Sequence, residues 1–324
     1  MSLAPFFSFL IPSYNKEKYI GETFISLSEQ TMSDFEVIVV DDSSKDNTVK
    51  IINKFANKDS RIKVFVNEVN KGANYCRNFG IKQAKASYII FLDADDMLDP
   101  FCLEGRQKKI VEQLDKNIWV FTMAVFRNKR GDDNYLWLPS TPDPLKDFLS
   151  HKLPWQTMQP VWSKPFIENL DGFDLAFNRL QDVELHTRAL LTSDVNYALF
   201  NGTPDCYYRI DGDRKSDKLP IFLEKWMIAT NAYCNKFENL VPKRYKSYLY
   251  GTVLQSYLQL LHHYRQNEIN VAVFDDLKKL LMKSPFVNNA GNFRKALFAC
   301  AEFYNKHLPQ ISGVNWLIKK LIIT

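Results

Sequence analysis

Alternating blocks of apolar and polar residues divide the first half of the chain into short strands and amphipathic helices. Continuous apolar runs of roughly four to eight residues predict buried strands, whereas apolar positions three and four apart predict helices. The predicted strands are 7–11, 36–40, 62–66 and 88–92, and the predicted helices are 16–30, 47–58 and 72–84. Strands and helices that alternate at this spacing predict right-handed β-α-β units and a mainly parallel sheet.

The second half of the chain changes character. Residues 118–126 predict another apolar strand, and the proline-containing stretch 131–147 predicts a loop. From residue 219 onward the pattern is helical, over 222–237, 245–264, 271–282 and 293–307. We therefore expect an α/β fold followed by an all-helical region. The expected boundaries are 1–115 and 116–217 for the two halves of one α/β domain, and 218–324 for the helical region.

Composition places the chain among globular proteins and narrows its partners. The 324 residues are 46% hydrophobic and 24% charged, with a net charge of +5 that suits an anionic ligand or an acidic membrane surface. No basic cluster interleaved with aromatic residues predicts a nucleic-acid partner. The five cysteines are widely spaced without a C-x-x-C pair, which favours a cytoplasmic protein over a zinc site or disulfide framework. We expect neither a signal peptide nor a membrane-spanning segment.

The stretch 88–96 joins the clearest buried strand to a cluster of carboxylates. Its apolar residues run directly into Asp93, Asp95 and Asp96. Asp93 and Asp95 are two apart, so in extended geometry they point the same way and form an oxygen-rich pair suited to Mg²⁺ or Mn²⁺. The alternative is a polar turn in which Asp96 or Asp99 caps a following helix.

Polar segments also follow the other three strands, and in a parallel sheet all of these segments meet at one edge. The turns contain neither a G-x-G-x-x-G nor a P-loop, so a metal assisted by Arg77 is the expected phosphate-binding device. Asp42 could accept from a nucleobase N–H and Tyr14 could stack on a base. Their alternative roles are a helix cap and a rim aromatic, and Arg77 could instead pair with an acid at the sheet edge.

Four motifs in this order resemble family 2 glycosyltransferases of the GT-A fold. They are Pro-Ser-Tyr-Asn at 12–15, Val-Asp-Asp-Ser-Ser-Lys-Asp-Asn-Thr at 40–48, Asn-Lys-Gly at 70–72 with Arg-Asn-x-Gly at 77–80, and Phe-Leu-Asp-Ala-Asp-Asp at 91–96. The resemblance implies a nucleotide-diphosphate-sugar donor, a divalent metal on Asp93 and Asp95, and an inverting transfer. It implies donor-binding roles for Pro12, Tyr14, Asn15, Asp42, Asn70, Gly72, Arg77, Asp93, Ala94 and Asp95.

The resemblance extends more loosely over about the next 110 residues. The family commonly has Glu-Asp where this chain has Gln181-Asp182, which implies that Asp182 is the general base. The missing acid removes one influence that could raise the pKa of Asp182. Trp155, Asp174 and Gln181 are the implied acceptor residues, whereas Trp162 is expected in the core and His186 in a supporting role. Asp211 stands where family members often have a His, so Arg209, Arg214 or Lys215 is expected at the diphosphate, unless this is a basic surface loop.

We therefore expect an enzyme of cell-surface polysaccharide or glycan biosynthesis that uses a UDP-sugar and a saccharide or lipid-linked saccharide acceptor. Two other function classes remain open: a sugar-phosphate nucleotidyltransferase and a non-catalytic nucleotide-sugar-binding or scaffold protein. The apolar, doubly basic segment 316–324 could contact the inner face of a membrane. Docking on its own protein is the placement that we favour.

Overall fold

The four strands predicted in the first half of the chain are neighbours in one sheet. The computed structural model describes residues 4–127, 133–210, 219–283, 285–288, 291–307 and 313–323. The strands are β1 (Phe7–Ser13), β2 (Phe35–Asp41), β3 (Ile62–Val66) and β4 (Tyr88–Phe91). They lie in the order β3-β2-β1-β4 and pair in parallel. Strands β1, β2 and β4 are almost entirely buried, which explains their continuous apolar sequences.

The helices that connect these strands form where their periodicity predicts them. They are α1 (Ile20–Ser28), α2 (Thr48–Ala56) and α3 (Ala73–Gln83). A short strand, β5 (Met97–Leu98), then precedes α4 (Cys102–Val111). Helix α1 buries Ile20, Phe24 and Leu27 on the face predicted from their spacing.

The prediction of a single strand over 118–126 is wrong, because the run divides between two sheets. Strand β6 (Ile118–Val120) joins the main sheet and β7 (Met123–Phe126) joins a second sheet with β8 (Asp133–Trp137). The main sheet also takes in β9 (Pro160–Ser163), which is antiparallel to both neighbours and is followed by a short helix over Lys164–Asn169, and β10 (Tyr197–Leu199). The second sheet is completed by β5 and β11 (Cys206–Arg209). Strand β8 falls within the stretch predicted to be loop.

A second unit is built from helices. Two of them precede the predicted helical region: α5 (Pro144–Leu149) and α7 (Gln181–Leu191). The helix over Lys164–Asn169, α6, belongs to the first unit. The others confirm the helical prediction: α8 (Leu219–Phe237), α9 (Lys246–Arg265), α10 (Val271–Met282), α11 (Pro285–Asn288), α12 (Asn292–His307) and α13 (Val314–Ile323). Helix α9 packs against α5, α8, α10, α12 and α13, so it is the centre of this unit.

The chain divides into two compact units, each assembled from segments that are separate in the sequence. One unit takes in Met1–Pro142, Pro154–Leu175 and Thr192–Asp213. The other takes in Asp143–Leu153, Ala176–Leu191 and Arg214–Thr324. Two early segments join the helical unit because they pack on its later helices: the Thr252 hydroxyl donates to the Leu149 carbonyl over 2.5 Å, and the hydroxyls of Thr187 and Tyr233 lie 2.7 Å apart.

None of the helices in the described ranges combines the length and the apolar content needed to cross a membrane. The tail helix α13 packs against α9 and α12, and the Asn305 amide donates to the Asn315 side chain over 2.9 Å. The tail thus lies on its own unit, as favoured from the sequence, with Leu317 and Leu321 exposed.

Candidate active site

The carboxyl ends of β1, β2 and β4 meet at one edge of the main sheet, because the strands are parallel and in register. Ser13 lies opposite Asp41, and the Ser13 hydroxyl donates to the Asp41 carboxylate over 2.7 Å. The order β3-β2-β1-β4 reverses direction after β1, and ligands of open α/β sheets bind at the carboxyl edge beside such a point.

The two adjacent aspartates after β2 have different roles. Asp41 is completely buried and also accepts from the Ser44 amide and hydroxyl, so it fixes the turn. Asp42, only 3% exposed, fixes the loop after β3. Its Oδ1 accepts from the side chain of Asn67 and the amide of Lys71, each at 2.8 Å, and its Oδ2 accepts from the Gly72 amide at 2.7 Å. A carboxylate has about four acceptor positions, so these three bonds occupy most of them, and the Cys76 thiol lies beside the same carboxylate.

This loop role of Asp42 was missed by the sequence analysis, which offered a helix cap as the alternative to base recognition. The cap is supplied by Asp46, which accepts from the Thr48 amide over 2.9 Å. Gly72 can donate to Asp42 because it adopts a φ of +89°, a conformation that favours glycine. Asn70 helps to fix the same loop, since its side-chain amide donates to the main-chain carbonyl of Asp42 over 3.2 Å.

The turn after β1 is tied to the turn after β2 through Asn15. Asn15 has a φ of +50°, its amide donates to Ser44 over 2.9 Å, and its side-chain oxygen accepts from the Lys45 amide over 2.8 Å. Tyr14 is 44% exposed at this edge, which leaves its ring accessible to a ligand. Pro12 is half-buried in β1 itself.

The carboxylates after β4 lie in a tight turn, which corrects the extended geometry expected for them. The Asp96 amide donates to the Asp93 carbonyl over 3.1 Å, and Ala94 between them is buried. Asp93 accepts from Arg77 over 2.7 Å, and Asp95 pairs with Lys16. Lys16 was missed because its pairing with Asp95 joins positions 79 residues apart, which no local pattern reveals.

The Asp96 side chain is buried and helps to fix the turn. Burial raises the pKa of its carboxyl well above the ordinary value, and the charges of Asp95 and Asp93 act in the same direction. Its side chain accepts from the Arg209 amide over 2.9 Å, and the Arg209 guanidinium donates to the Asp95 carbonyl over 2.9 Å and to Glu22 over 2.6 Å. Arg209 therefore fixes the main chain of the turn, whereas Asp211, Arg214 and Lys215 lie outside the described residues. Neither Asp96 nor Asp99 is the N-cap of α4, which is Phe101; the Asp99 side chain accepts from the Phe101 amide over 3.1 Å in the turn before that helix.

The donor set at this turn fits a divalent metal that arrives with phosphate oxygens. Within the described residues, no group of three or more His, Cys, Asp or Glu side chains is arranged to hold a metal ion. Mg²⁺ is usually bound by one or two carboxylates together with substrate phosphates and waters. Asp93 and Asp95 are two such carboxylates, and each already attracts a cation, Arg77 and Lys16 respectively.

The expected acceptor residues of the first unit lie in different environments. Asp174 is half-buried, and its carbonyl accepts from the Asn74 side chain over 2.8 Å. Trp155 is completely buried and packs on Tyr197 with ring centroids 6.5 Å apart, and Trp162 is buried as expected. A buried ring has no free face for a sugar, so we leave Trp155 out of the proposed acceptor set.

Asp182 and Gln181 lie in the first turn of α7, in the second unit, and both are half-buried. The positive end of the helix dipole favours an ionised carboxylate at this position. Glu184, two residues on, is completely buried and accepts from Arg188 over 2.8 Å and from Lys236 over 2.6 Å. The pair with Arg188 lies within α7, and the pair with Lys236 anchors the first turn of α7 to α8.

His186 is a buried structural residue of the second unit, as expected. Its ring lies 5.0 Å from that of Phe148, and burial lowers its pKa from 6.5 to about 3. Below pH 6.5 this histidine binds a proton in the unfolded chain, whereas the native ring stays neutral. Its contribution to the free energy of unfolding is therefore fully present above pH 6.5 and is lost as the pH falls toward 3.

Replacing His186 with Phe should therefore make the protein less sensitive to acid. A pH of 5 lies 1.5 units below the ordinary pKa of 6.5, which corresponds to about 2 kcal/mol of unfolding free energy. Between pH 7.5 and pH 5, the free energy of unfolding should therefore fall by about 2 kcal/mol less in the variant than in the wild type, as measured by urea unfolding. The exposed His262, changed to Gln, is the control. Identical pH dependence in wild type and His186→Phe would contradict the burial argument.

Comparisons with known proteins give the site its context. Residues 8–164 match the profile of the family described as Glycosyl transferase family 2. The poly(ribitol-phosphate) beta-N-acetylglucosaminyltransferase TarS of Staphylococcus aureus (strain Mu50 / ATCC 700699) is 43% identical over 140 residues, which make up 42% of this chain and 24% of TarS. The matched region thus spans about a quarter of that relative's length.

Two solved structures share the fold over most of this chain. The crystal structure of S. aureus TarS 1-349 in complex with UDP-GlcNAc has a TM-score of 0.64 at 20% identity and covers 93% of this chain and 89% of that chain. The mannosyltransferase PcManGT from Pyrobaculum calidifontis, in complex with GDP-Man and Mn²⁺, has a TM-score of 0.54 at 15% identity and covers 94% of this chain and 88% of that chain. These similarities confirm the expected GT-A fold, a mainly parallel sheet flanked by helices, with a helical C-terminal region.

Proposed function

We propose that this chain, which matches glycosyl transferase family 2 over residues 8–164, transfers a sugar from a UDP-sugar to an acceptor hydroxyl with inversion. The observation that carries the proposal is the convergence of Asp42, Arg77, Asp93 and Asp95 at one edge of the main sheet. The edge offers an acceptor for a nucleobase and carboxylates for a metal, which together suit a nucleoside diphosphate.

The donor is held at both ends of its nucleotide. Asp42 accepts from a base N–H in the proposed complex, and the exposed ring of Tyr14 stacks on the base. Mn²⁺ or Mg²⁺ would be held by Asp93 and Asp95, and when bound it neutralises charge on the leaving diphosphate. Arg77 and Lys16, which pair with these carboxylates, supply cationic donors beside the same phosphates.

Asp182 is the proposed general base, because an ionised carboxylate accepts a proton from an acceptor hydroxyl as that hydroxyl attacks the anomeric carbon. Gln181 and Asp174 are the proposed acceptor-binding residues. The acceptor class is a saccharide or lipid-linked saccharide in cell-surface polysaccharide biosynthesis, supported by the similarity to TarS. The five free thiols support a cytoplasmic setting for the reaction.

A thermal-shift screen of UDP-, GDP- and dTDP-sugars, each with and without Mn²⁺, tests the proposal. Ligands that bind the native state raise the unfolding midpoint, and at one ligand concentration the tighter ligand raises it more. We expect the largest shift with a UDP-sugar and Mn²⁺ together, and slow release of UDP from that donor. Binding without any turnover, whatever acceptor sugar is added, would favour the non-catalytic reading over the enzyme.

Asp42→Ala should weaken nucleotide binding and reduce the preference among bases. An ionised carboxylate accepts from the N3–H of uracil or the N1–H of guanine but cannot donate to the N1 acceptor of adenine. Calorimetric titration of UDP, GDP and ADP with Mn²⁺ should show UDP binding more tightly than ADP in the wild type, and a smaller difference in the variant. Because Asp42 also holds the loop after β3, the ratio of affinities is more informative than either affinity.

The matched control is Asp46→Ala, which removes a carboxylate from the same turn but leaves Asp42 in place. It should keep the UDP-to-ADP ratio of the wild type. If wild-type protein binds ADP as tightly as UDP, Asp42 does not recognise the base and its only role is to fix the loop.

A further inference from the structure

Two asparagine side chains of helix α3 bind the main chain of the segment 171–174. Asn78 makes a reciprocal pair with Phe173: its amide nitrogen donates to the Phe173 carbonyl and its oxygen accepts from the Phe173 amide, each over 2.7 Å. One turn earlier, Asn74 donates to the Asp174 carbonyl over 2.8 Å. The segment is therefore fixed through two carbonyls and one amide, whatever its own side chains do.

Gly172 shows how closely Asn78 approaches this segment. It adopts a φ of +63°, and a Cβ built there would lie 2.4 Å from the Asn78 side-chain oxygen. Any other residue would have to displace the Asn78 amide, so the glycine and the asparagine depend on each other.

The fixed segment places the Phe173 ring against the guanidinium of Arg77. The guanidinium carbon lies 5.1 Å from the ring centroid, within the range of a cation–π contact. The same ring makes an edge-to-face contact with Phe91, at the end of β4, with centroids 5.0 Å apart and an interplanar angle of 84°. Arg77 is itself almost completely buried and donates to Asp93 over 2.7 Å.

We infer that Phe173, held by Asn78, is a positioning residue for the donor site: it braces Arg77 so that the guanidinium stays on Asp93 and faces the diphosphate. The inference rests on the proposed function. It connects the segment 171–174, which carries the proposed acceptor residue Asp174, through Arg77 to Asp93, a proposed metal ligand. Asn78 contacts Phe173, and Phe173 contacts Arg77. Neither Asn78 nor Phe173 needs to contact the donor.

Phe173→Leu tests the brace, because Leu keeps an apolar side chain but has no ring face for the cation. We expect UDP affinity in the presence of Mn²⁺ to fall by about threefold to tenfold, as measured by calorimetry. The matched control is Phe166→Leu, which removes another buried ring of the same unit, one that packs on Trp162. The control should lower the thermal midpoint comparably and leave UDP affinity unchanged.

Gly172→Ala supplies a measurement that a merely structural role would not move. In the wild-type background its Cβ must displace the Asn78 amide, so UDP affinity should fall as in Phe173→Leu. In an Asn78→Ala background, where affinity is already low and the contact with the Asn78 oxygen is gone, the same change should reduce it clearly less, through the positive φ and the Ile81 contact alone. Independent reductions in the two backgrounds would overturn the role of Asn78.

The Nε–H resonance of Arg77, identified by its absence in Arg77→Lys, reports the brace without any nucleotide. It should shift in Phe173→Leu and stay in place in Phe166→Leu. If UDP binds and Phe173→Leu binds it as tightly as the wild type, the positioning inference is wrong. If the wild type binds no nucleoside diphosphate, the proposed function is wrong and so is the donor role of Arg77, while the resonance still shows whether the ring braces the guanidinium.

Discussion

Asp182→Asn should reduce sugar transfer by about two to four orders of magnitude, the contribution typical of a positioned general base. The carboxamide keeps the shape of the carboxylate but cannot take the proton of the acceptor hydroxyl. UDP affinity should be retained, because no donor-binding role is assigned to this side chain. The measurement is UDP release from the donor selected by thermal shift, with a panel of sugars as acceptors, beside calorimetric titration of UDP.

Asp194→Asn is the matched control, since it makes the same chemical change at an exposed aspartate shortly after α7. It should leave transfer unchanged. Nearly normal transfer by Asp182→Asn would mean that the base lies elsewhere, with Asp174 as the next candidate. Glu184 is a poorer one, because its buried carboxylate is already paired with Arg188 and Lys236.

Asp95→Ala should abolish the effect of Mn²⁺ on donor binding while the fold stays intact. The variant removes one of the two proposed metal carboxylates and frees Lys16, whose ammonium can then attract the diphosphate by itself. Removing this charge also relieves its repulsion of the buried Asp96. UDP titrated with Mn²⁺ and with a chelator should give one affinity in the variant and two clearly different affinities in the wild type.

The matched control for this experiment is Asp99→Ala, which removes a carboxylate four residues away that accepts from the Phe101 amide in the turn before α4. It should retain the difference between Mn²⁺ and chelator. An Asp95→Ala protein that binds UDP as the wild type does when Mn²⁺ is present would exclude this carboxylate as a metal ligand.

The strands and helices around the site could be predicted because each is encoded locally. A parallel strand buried on both faces needs a continuous apolar run, and the helices between such strands need one apolar face. The same logic failed at 118–126. The run is apolar except for Thr122, and because threonine is common within strands it does not mark the point, at Phe121 and Thr122, where the chain leaves one sheet for another.

The side chains that support the site could not be predicted, because their partners are distant in the sequence. Lys16 meets Asp95, Arg209 meets Glu22, and Asn78 meets Phe173, at separations of 79, 187 and 95 residues. Each is an ordinary polar residue in its own neighbourhood. The motifs predict which residues carry the chemistry, whereas tertiary structure alone reveals which residues hold them in place.

The interleaving of the two units constrains the order in which the protein can fold during synthesis. The segments Asp143–Leu153 and Ala176–Leu191 leave the ribosome well before the helices on which they pack, which begin at Leu219. Until then Phe148, Leu149 and His186 lack the surroundings that bury them in the native state. The first unit is complete in sequence once residue 213 has been made, so its sheets can form around two segments whose burial must wait. A nascent chain at that stage exposes apolar surface in mid-sequence, where chaperones bind, rather than only at its growing end.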